Sequence, residues 1–181
     1  MAGKIPVLNV IDPIVERVAS DKSFHKIGII GTKGTIKSQV YDHKLKTLRP
    51  DLEVVSLATA LLASMIEAGF YNNSVSQAVI NSYLNYPDFS DIQAMVLACT
   101  HYPLIKKEVA SFFNQRVKIF DSTDVVTDAL IKVLTERNFL NDRRRNPHHF
   151  YVSDFTESFE QTTRLFFKEE IHLEHSPIWE E

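Results

Sequence analysis

The stretch most suited to chemistry is Leu97-Ala98-Cys99-Thr100-His101-Tyr102-Pro103. Cys99 is the only cysteine in the chain, and it follows an apolar run, 94–97, that is typical of a buried strand. Pro103 suits the first turn of a helix, where its missing N–H is no loss. The N-terminus of such a helix favours an anion and is expected to lower the pKa of Cys99 toward the reactive thiolate. The alternative is a cysteine that only fills space, because free cysteine is often buried.

Apolar strand-like runs alternate with helix-like runs along the chain. Strands are predicted over residues 5–11, 26–30, 52–57, 94–97, 117–120 and 150–152. Helices are predicted over residues 12–19, 35–48, 58–68, 76–86, 104–113, 122–136 and 157–167. Ser122 or Thr123 is expected to cap the clearest helix, 122–136, which has one apolar face. The alternation predicts an α/β fold of parallel sheets with helices on both faces.

Polar clusters follow three of the predicted strands. These clusters are Gly31-Thr32, Cys99-Thr100-His101 and Asp121-Ser122-Thr123. Ligands of such sheets bind at the carboxyl ends of the strands. Thr32 and Thr35 precede a predicted helix and suit carboxylate binding through hydroxyl and helix N–H groups. A helix-capping role for the two threonines is equally open.

The stretch around Cys99 resembles the second catalytic-cysteine motif of glutamate racemases, in the aspartate/glutamate racemase superfamily. The family pattern is Leu-Gly-Cys-Thr-His-Tyr/Phe-Pro-Leu, and Ala98 stands at its glycine. Further segments that resemble the family, in family order, are Ile5 to Pro13, Ile29 to Ser38 with Tyr41, Met65 to Gly69, and His149 to Asp154. The family's Asp-Ser-Gly motif and its Cys-Asn-Thr motif, which holds the first catalytic cysteine, do not occur here. The chain therefore resembles the C-terminal portion of such an enzyme.

The resemblance implies a racemase-type fold of two α/β domains with the active site between them and one domain incomplete. Residues 24–120 would form one complete domain, which bears the second catalytic cysteine. Residues 1–13 and 121–181 would form part of the other. An incomplete sheet exposes apolar edges, so self-association as a homo-oligomer, in particular a dimer, is expected.

The resemblance also implies cofactor-independent racemisation, which needs two acid/base groups on opposite faces of Cα. Cys99 would be one of them, assisted by His101 and Glu67 as catalytic residues. Substrate-binding residues would be Thr100, His101, Thr32 and Thr35. The alternatives are that Thr100 caps the following helix, that His101 is a structural histidine and that Glu67 is an exposed charge at a helix end. Tyr41 and Ser38 are interpreted as packing and loop residues.

The function implied by the resemblance is that of a glutamate racemase, which interconverts L- and D-glutamate and supplies D-glutamate for peptidoglycan. A site with one thiol predicts exchange of the α-hydrogen without inversion. The alternative is a non-catalytic amino-acid-binding or protein-interaction module. A weaker third hypothesis is an aspartate or other amino-acid racemase, since the motif around Cys99 favours the glutamate branch.

Composition excludes several other classes of protein. The net charge of −3, from 20 basic and 23 acidic residues, gives no support for nucleic-acid binding. No apolar run approaches the ~18 residues of a membrane span. A single cysteine excludes an internal disulfide and cysteine-based zinc sites, and it suits a reducing cytoplasm. No metal site is predicted at His148-His149, which lack a partner at ligand spacing, and 143–145 is interpreted as a solvated loop.

Overall fold

The computed structural model describes residues 6–141, 147–154, 163, 167 and 171–177. Its main sheet has four parallel strands in the order β2-β1-β3-β4. The strands of this sheet are β1 Lys26–Gly31, β2 Glu53–Ala58, β3 Ala94–Ala98 and β4 Lys118–Phe120. A second, two-stranded parallel sheet pairs β5 Phe150–Val152 with β6 Leu173–His175. The helices are α1 Asp12–Ser20, α2 Lys33–Ser38, α3 Val40–Leu48, α4 Leu62–Glu67, α5 Ser74–Leu84, α6 Lys106–Phe112 and α7 Ser122–Glu136.

The two central strands of the main sheet, β1 and β3, are buried on both faces. Ile27 and Ile29 join one apolar cluster with residues of α1 and α3. Ile30 and Leu97 join a second cluster with residues of α4, α5 and α6 on the opposite face. This alternation follows from the two-residue period of a strand, which sends successive side chains to opposite faces. The predicted α/β class, with a parallel sheet and helices on both faces, is confirmed.

The segment before α1 differs from the prediction. Residues 6–11 form no strand, and Val7 is 92% exposed. The side chain of Asn9 explains the difference, because its Oδ1 accepts the backbone N–H groups of Ile11 and Asp12 at 2.9 and 2.8 Å. Those N–H groups therefore hold the chain in a turn that opens α1.

Three predicted helices have different bounds in the structure. The run 35–48 is divided into α2 and α3 because Gln39 adopts a left-handed conformation with φ of 52°. The run 58–68 becomes helical only from Leu62. The run 104–113 begins earlier, as a 3-10 helix over Tyr102–Ile105, before α6 continues it. The predicted helix 157–167 lies largely outside the described residues, and the predicted loop 143–145 lies wholly outside them.

Helix α7 has the predicted bounds but differs in its cap and in its burial. The side chain of Asp121, and neither that of Ser122 nor that of Thr123, accepts a hydrogen bond from the N–H of Thr123 at 2.8 Å. The apolar face of α7 is only partly covered, with Leu130 44% exposed, and Ile131, on the other side of the helix, is 51% exposed. In the described part of the chain, no helix combines the length and the apolar character needed to cross a membrane.

Candidate functional site

A cleft of about 250 Å³ opens at the carboxyl edge of the main sheet. Because β1, β3 and β4 are parallel neighbours, the polar residues that follow them reach this same edge. Its walls are formed by Val10, Ile11, Thr32, Thr35, Tyr41, Leu97, Ala98, Cys99, Thr100 and Ser122. The structure therefore brings together four of the predicted site residues, Cys99, Thr100, Thr32 and Thr35. The other two, His101 and Glu67, are not among the residues that line this cleft.

Cys99 follows the last residue of β3, and its half-buried thiol faces the cleft. Burial raises the pKa of the Cys99 thiol above its ordinary value. The backbone N–H groups of His101 and Tyr102 act in the opposite direction and lower the pKa, while the charge of Glu67 adds to the rise. The expected lowering of the pKa of Cys99 is therefore wrong, because desolvation of the thiolate outweighs these two N–H groups.

His101 contacts the thiol and a carboxylate with its two ring nitrogens. Its Nδ1 lies 3.8 Å from Sγ of Cys99, and its Nε2 lies 3.1 Å from Oε1 of Glu67. Glu67 is the last residue of α4, so the close of that helix places the carboxylate beside the turn after β3. A carboxylate that holds the imidazole, which in turn contacts a nucleophile, is the arrangement found around activated thiols and hydroxyls. The structure thus joins all three predicted catalytic residues in one row.

Thr32 and Thr35 combine capping with exposure to the cleft. The N–H of Thr35 donates to Oγ1 of Thr32 at 3.3 Å, so Thr32 caps α2. The two hydroxyl oxygens lie 3.0 Å apart, and both residues line the cleft. The capping alternative is therefore confirmed for Thr32, whereas carboxylate binding by the two threonines stays a prediction. Two hydroxyls at this spacing can donate to the two oxygens of one carboxylate.

Thr100 is exposed at the mouth of the cleft. The helix that follows it begins with His101 as its N-cap and has no side-chain capping bond. The capping alternative for Thr100 is therefore wrong, because the chain turns into the 3-10 helix one residue later than that role requires. Thr100 thus lines the cleft next to Cys99, and its role in substrate binding stays a prediction.

Two further residues of the cleft wall have functional positions that the sequence analysis did not identify. Tyr41, interpreted as packing, is buried in the α1–α3 core and also borders the cleft. Burial, with a smaller contribution from the charge of Cys99, raises the pKa of Tyr41 to about 12, so its hydroxyl stays protonated. Ser122 borders the cleft because Asp121 takes the capping role, and Lys106 contacts Oδ2 of Asp121 at 2.7 Å. The signal for Ser122 was its place in a polar cluster after a strand.

Glu174 lies 2.8 Å from Nδ1 of His149, a contact between β6 and the residue before β5 that sequence spacing did not suggest. One histidine and one carboxylate are too few ligands for a structural metal. Within the described residues, no group of three or more His, Cys, Asp or Glu side chains is arranged to hold a metal ion.

Comparison with known proteins identifies relatives of this chain. The family model described as Asp/Glu/Hydantoin racemase matches residues 2–130. A glutamate racemase of Geobacter metallireducens is 33% identical over 156 residues, which cover 86% of this chain and 58% of that protein. A glutamate racemase of Streptococcus pneumoniae is 35% identical over 175 residues, which cover 94% of this chain and 65% of that protein. The chain thus spans about three fifths to two thirds of the length of these relatives.

A solved glutamate racemase structure has a similar fold over nearly the whole of this chain. The crystal structure of glutamate racemase from Francisella tularensis in complex with D-glutamate superimposes with a TM-score of 0.86 at 34% identity. The match covers 97% of this chain and 65% of that one. The likeness therefore extends through both the main sheet and the segments that flank it.

Proposed function

Because the chain belongs to the Asp/Glu/Hydantoin racemase family, we propose that it forms one side of a glutamate racemase site, with Cys99 as one of two acid/base groups. The observation that carries the proposal is the row of Cys99, His101 and Glu67 beside the cleft. The relatives that match most of this chain are named glutamate racemases, and one of them was solved with D-glutamate. The reaction class is isomerisation at the α-carbon of an amino acid.

The proton transfers follow from the geometry around Cys99. The Cys99 thiol gives its proton to Nδ1 of His101, and Glu67 stabilises the imidazolium that forms. The thiolate then takes the α-proton of glutamate: an S–H bond forms, the Cα–H bond breaks, and the electron pair passes into the adjacent carboxylate. The raised pKa of Cys99 makes its thiolate a stronger base toward this weakly acidic proton.

Inversion requires a proton donor on the opposite face of the α-carbon. Cys99 is the single thiol of this chain. If Cys99 alone returns the proton, it does so to the face from which the proton came, which exchanges the hydrogen and keeps the configuration. A second acid on the far side of the cleft would complete racemisation.

The cleft offers hydroxyl groups to the two carboxylates of glutamate. Thr32 and Thr35 stand together at the start of α2, and Thr100 stands next to the thiol. We propose that the threonine pair and Thr100 hold the substrate carboxylates, and that His101 contributes to binding at the Cys99 side. No cofactor is needed, because the thiolate and the imidazole move the protons themselves.

The setting of the protein is part of the same proposal. We place residues 24–120 in a complete domain that carries Cys99, and residues 1–13 and 121–181 in a partial second domain. A single thiol suits a reducing cytoplasm, in which the product D-glutamate would serve peptidoglycan synthesis. The half-covered apolar face of α7 supports a homo-dimer.

The test is proton NMR of L- and D-glutamate in deuterated water with the purified chain, followed together with optical rotation. Exchange of the α-hydrogen of one enantiomer without inversion is expected, and Cys99→Ser is expected to abolish it. Exchange with inversion would show that this chain supplies a second acid. No exchange by the wild type, with glutamate binding that survives in Cys99→Ser, would replace the proposal by a non-catalytic amino-acid-binding module.

A further inference from the structure

A buried network of hydrogen bonds lies directly behind the cleft. The hydroxyl groups of Thr59 and Tyr102 lie 2.7 Å apart, and the two side chains are 1% and 0% exposed. The hydroxyl of Thr59 donates to the carbonyl of Gly31 at 3.2 Å, and its backbone N–H donates to the same oxygen at 2.9 Å. The hydroxyl of Tyr102 also lies 3.2 Å from the carbonyl oxygen of Thr59, to which it can donate.

Both ends of this network adjoin residues of the proposed site. Gly31 ends β1 and precedes Thr32, the first of the two cleft threonines. Tyr102 follows His101, and its backbone N–H donates to the carbonyl of Cys99 at 3.1 Å, which closes the turn after β3. Thr59 follows the last residue of β2, so it joins the ends of two strands to the turn that holds the thiol.

We propose that Thr59 is a positioning residue: with Tyr102, it fixes the turn after β3 and so holds the Cys99 thiol at its place beside Nδ1 of His101. The role of Thr59 in catalysis rests on the proposed function, whereas its hydrogen bonds are observed whatever the function is. Burial raises the pKa of Tyr102 to about 12, which keeps its hydroxyl protonated as a donor. The hydroxyl hydrogens of Tyr102 and Thr59 can then run in one direction, from Tyr102 to Thr59 to the carbonyl of Gly31.

The network anchors a turn that has little rigidity of its own. The thiol of Cys99 lies 3.8 Å from Nδ1 of His101, and that distance depends on the turn, which the N–H of Tyr102 closes by donating to the carbonyl of Cys99. The turn leads into a four-residue 3-10 helix, which is too short to hold its own orientation firmly. Anchoring the Tyr102 side chain supplies the rigidity that the short helix lacks.

The experiment measures alkylation of Cys99 by iodoacetamide across the pH range in which thiols ionise, in the full chain. Because the chain has one cysteine, the rate reports this thiol alone. Thr59→Val is expected to slow alkylation below the thiol pKa roughly threefold to tenfold, the size expected of one hydrogen bond, and to move the profile to higher pH. Thr59→Ser keeps the hydroxyl and is expected to restore the wild-type profile.

The charged and titratable groups around the sulfur are Glu67, His101, Tyr41 and Tyr102. The Thr59 substitutions leave all four residues in place, and loss of the bond to Thr59 keeps the Tyr102 hydroxyl protonated, so a shift in the profile reports the position of the thiol. Tyr102→Phe tests the same network from its other end, and is expected to shift the profile in the same direction. It also keeps the proposal testable if Thr59→Val fails to fold.

Ser76→Ala is the matched control, because it removes a buried hydroxyl on α5 whose partners are Asn73 and Glu108 and not a residue of the turn after β3. It is expected to lower stability in urea while leaving the alkylation profile unchanged. A Thr59→Val chain that loses stability but alkylates like the wild type would overturn the proposal, as would failure of Thr59→Ser to restore the profile. If the wild type exchanges no glutamate, the proposed function fails, while the alkylation comparison still decides the role of Thr59.

Discussion

Nε2 of His101 lies 3.1 Å from Oε1 of Glu67, although the two residues come from different elements of the fold. The carboxylate favours the tautomer that carries a hydrogen on Nε2. Nδ1 is then free of a proton and faces the sulfur of Cys99 at 3.8 Å. The contact with Glu67 therefore orients the imidazole ring of His101 so that its accepting nitrogen faces the thiol.

Substitution of His101 by asparagine is expected to slow α-hydrogen exchange of glutamate by roughly 100-fold, a typical contribution of a general acid or base. Glu67→Gln is expected to slow it less, because the amide oxygen can still hold Nε2 but no longer stabilises the imidazolium. Deuterium incorporation followed by NMR gives both rates. Glu136→Gln, an equal change of charge at the exposed end of α7, serves as the control and should exchange at the wild-type rate.

The half-buried thiol of Cys99 is expected to make stability depend on pH. Its pKa is raised in the folded protein, so the folded state keeps the proton at pH values where the unfolded chain has lost it. The contribution is therefore fully present below the ordinary thiol pKa and is lost as pH rises toward the folded-state pKa. Urea unfolding of the wild type and of Cys99→Ser at increasing pH measures it. Parallel pH dependences in the two proteins would show that the thiol ionises as it does in the unfolded chain.

The four strands of the main sheet, the helices between them and the shared edge of the polar clusters could be predicted, because strand periodicity and parallel pairing act locally and repeatedly. The strand predicted over 5–11 is not formed by residues 6–11, and β6 was not predicted. Ile27 and Ile29 against Ile30 and Leu97 show the two buried faces that a continuous apolar run indicates. The break at Gln39 could not be predicted, since helical spacing continues across it while the backbone turns left-handed.

Long-range side-chain contacts were beyond the sequence for a different reason. The contact between Thr59 and Tyr102 spans 43 positions along the chain, and neither residue type indicates a partner. The pairing of Glu67 with His101 depends on how the end of α4 packs beside the turn after β3. The sequence predicted the end of this helix to within one residue but not its packing. The local sequence pattern determines which face of a helix or strand a side chain lies on, whereas the residue that it contacts depends on how the helices and strands pack.

Arg49 is expected to be a main support of the loop between α1 and β1. It is 3% exposed, and its guanidinium donates to the carbonyls of Asp21 at 3.1 Å and Phe24 at 3.0 Å. Arg49→Lys keeps the charge but loses the fork of donors, so its melting temperature is expected to fall by at least about 5 °C. Arg17→Lys, at an exposed site on α1, is the control and should melt like the wild type.

The ion pair between Arg49 and Asp51 is expected to make stability depend on pH in the acid range. The guanidinium of Arg49 lowers the pKa of Asp51 from 3.8 to about 2. Its contribution to stability is therefore present above the ordinary carboxyl pKa and is lost as pH falls toward about 2. Asp51→Asn is expected to lack this acid-side loss when melting is followed from neutral to acid pH. Equal acid-side losses in both proteins would contradict the assignment.

Glu108 is buried on α6 with one oxygen satisfied and the other not. Its Oε1 accepts from Oγ of Ser76 at 2.6 Å, while Oε2 has no hydrogen-bond partner among the described residues. Glu108→Met is expected to raise the free energy of unfolding by about 1 kcal/mol, since Ser76 can still donate to the carbonyl of Asn73 at 2.9 Å. Ser76→Ala is expected to lower it by about 1–3 kcal/mol, because it removes the partner of Oε1. Urea unfolding distinguishes these opposite signs, and a loss of stability in Glu108→Met would contradict the argument.

The apolar face of α7 is expected to drive self-association. Leu130, on this face, is 44% exposed, and no residue of this 15-residue helix is buried. A helix of this kind gains most of its stability from packing, so a surface that covers the face stabilises both partners. Leu130→Lys is expected to shift the chain toward monomer in size-exclusion chromatography with light scattering, whereas Asp128→Ala, on the opposite and exposed side of α7, should leave the mass unchanged. If Leu130→Lys elutes with the same mass as the wild type, association does not use this face, and the edges of the two sheets become the surfaces to test.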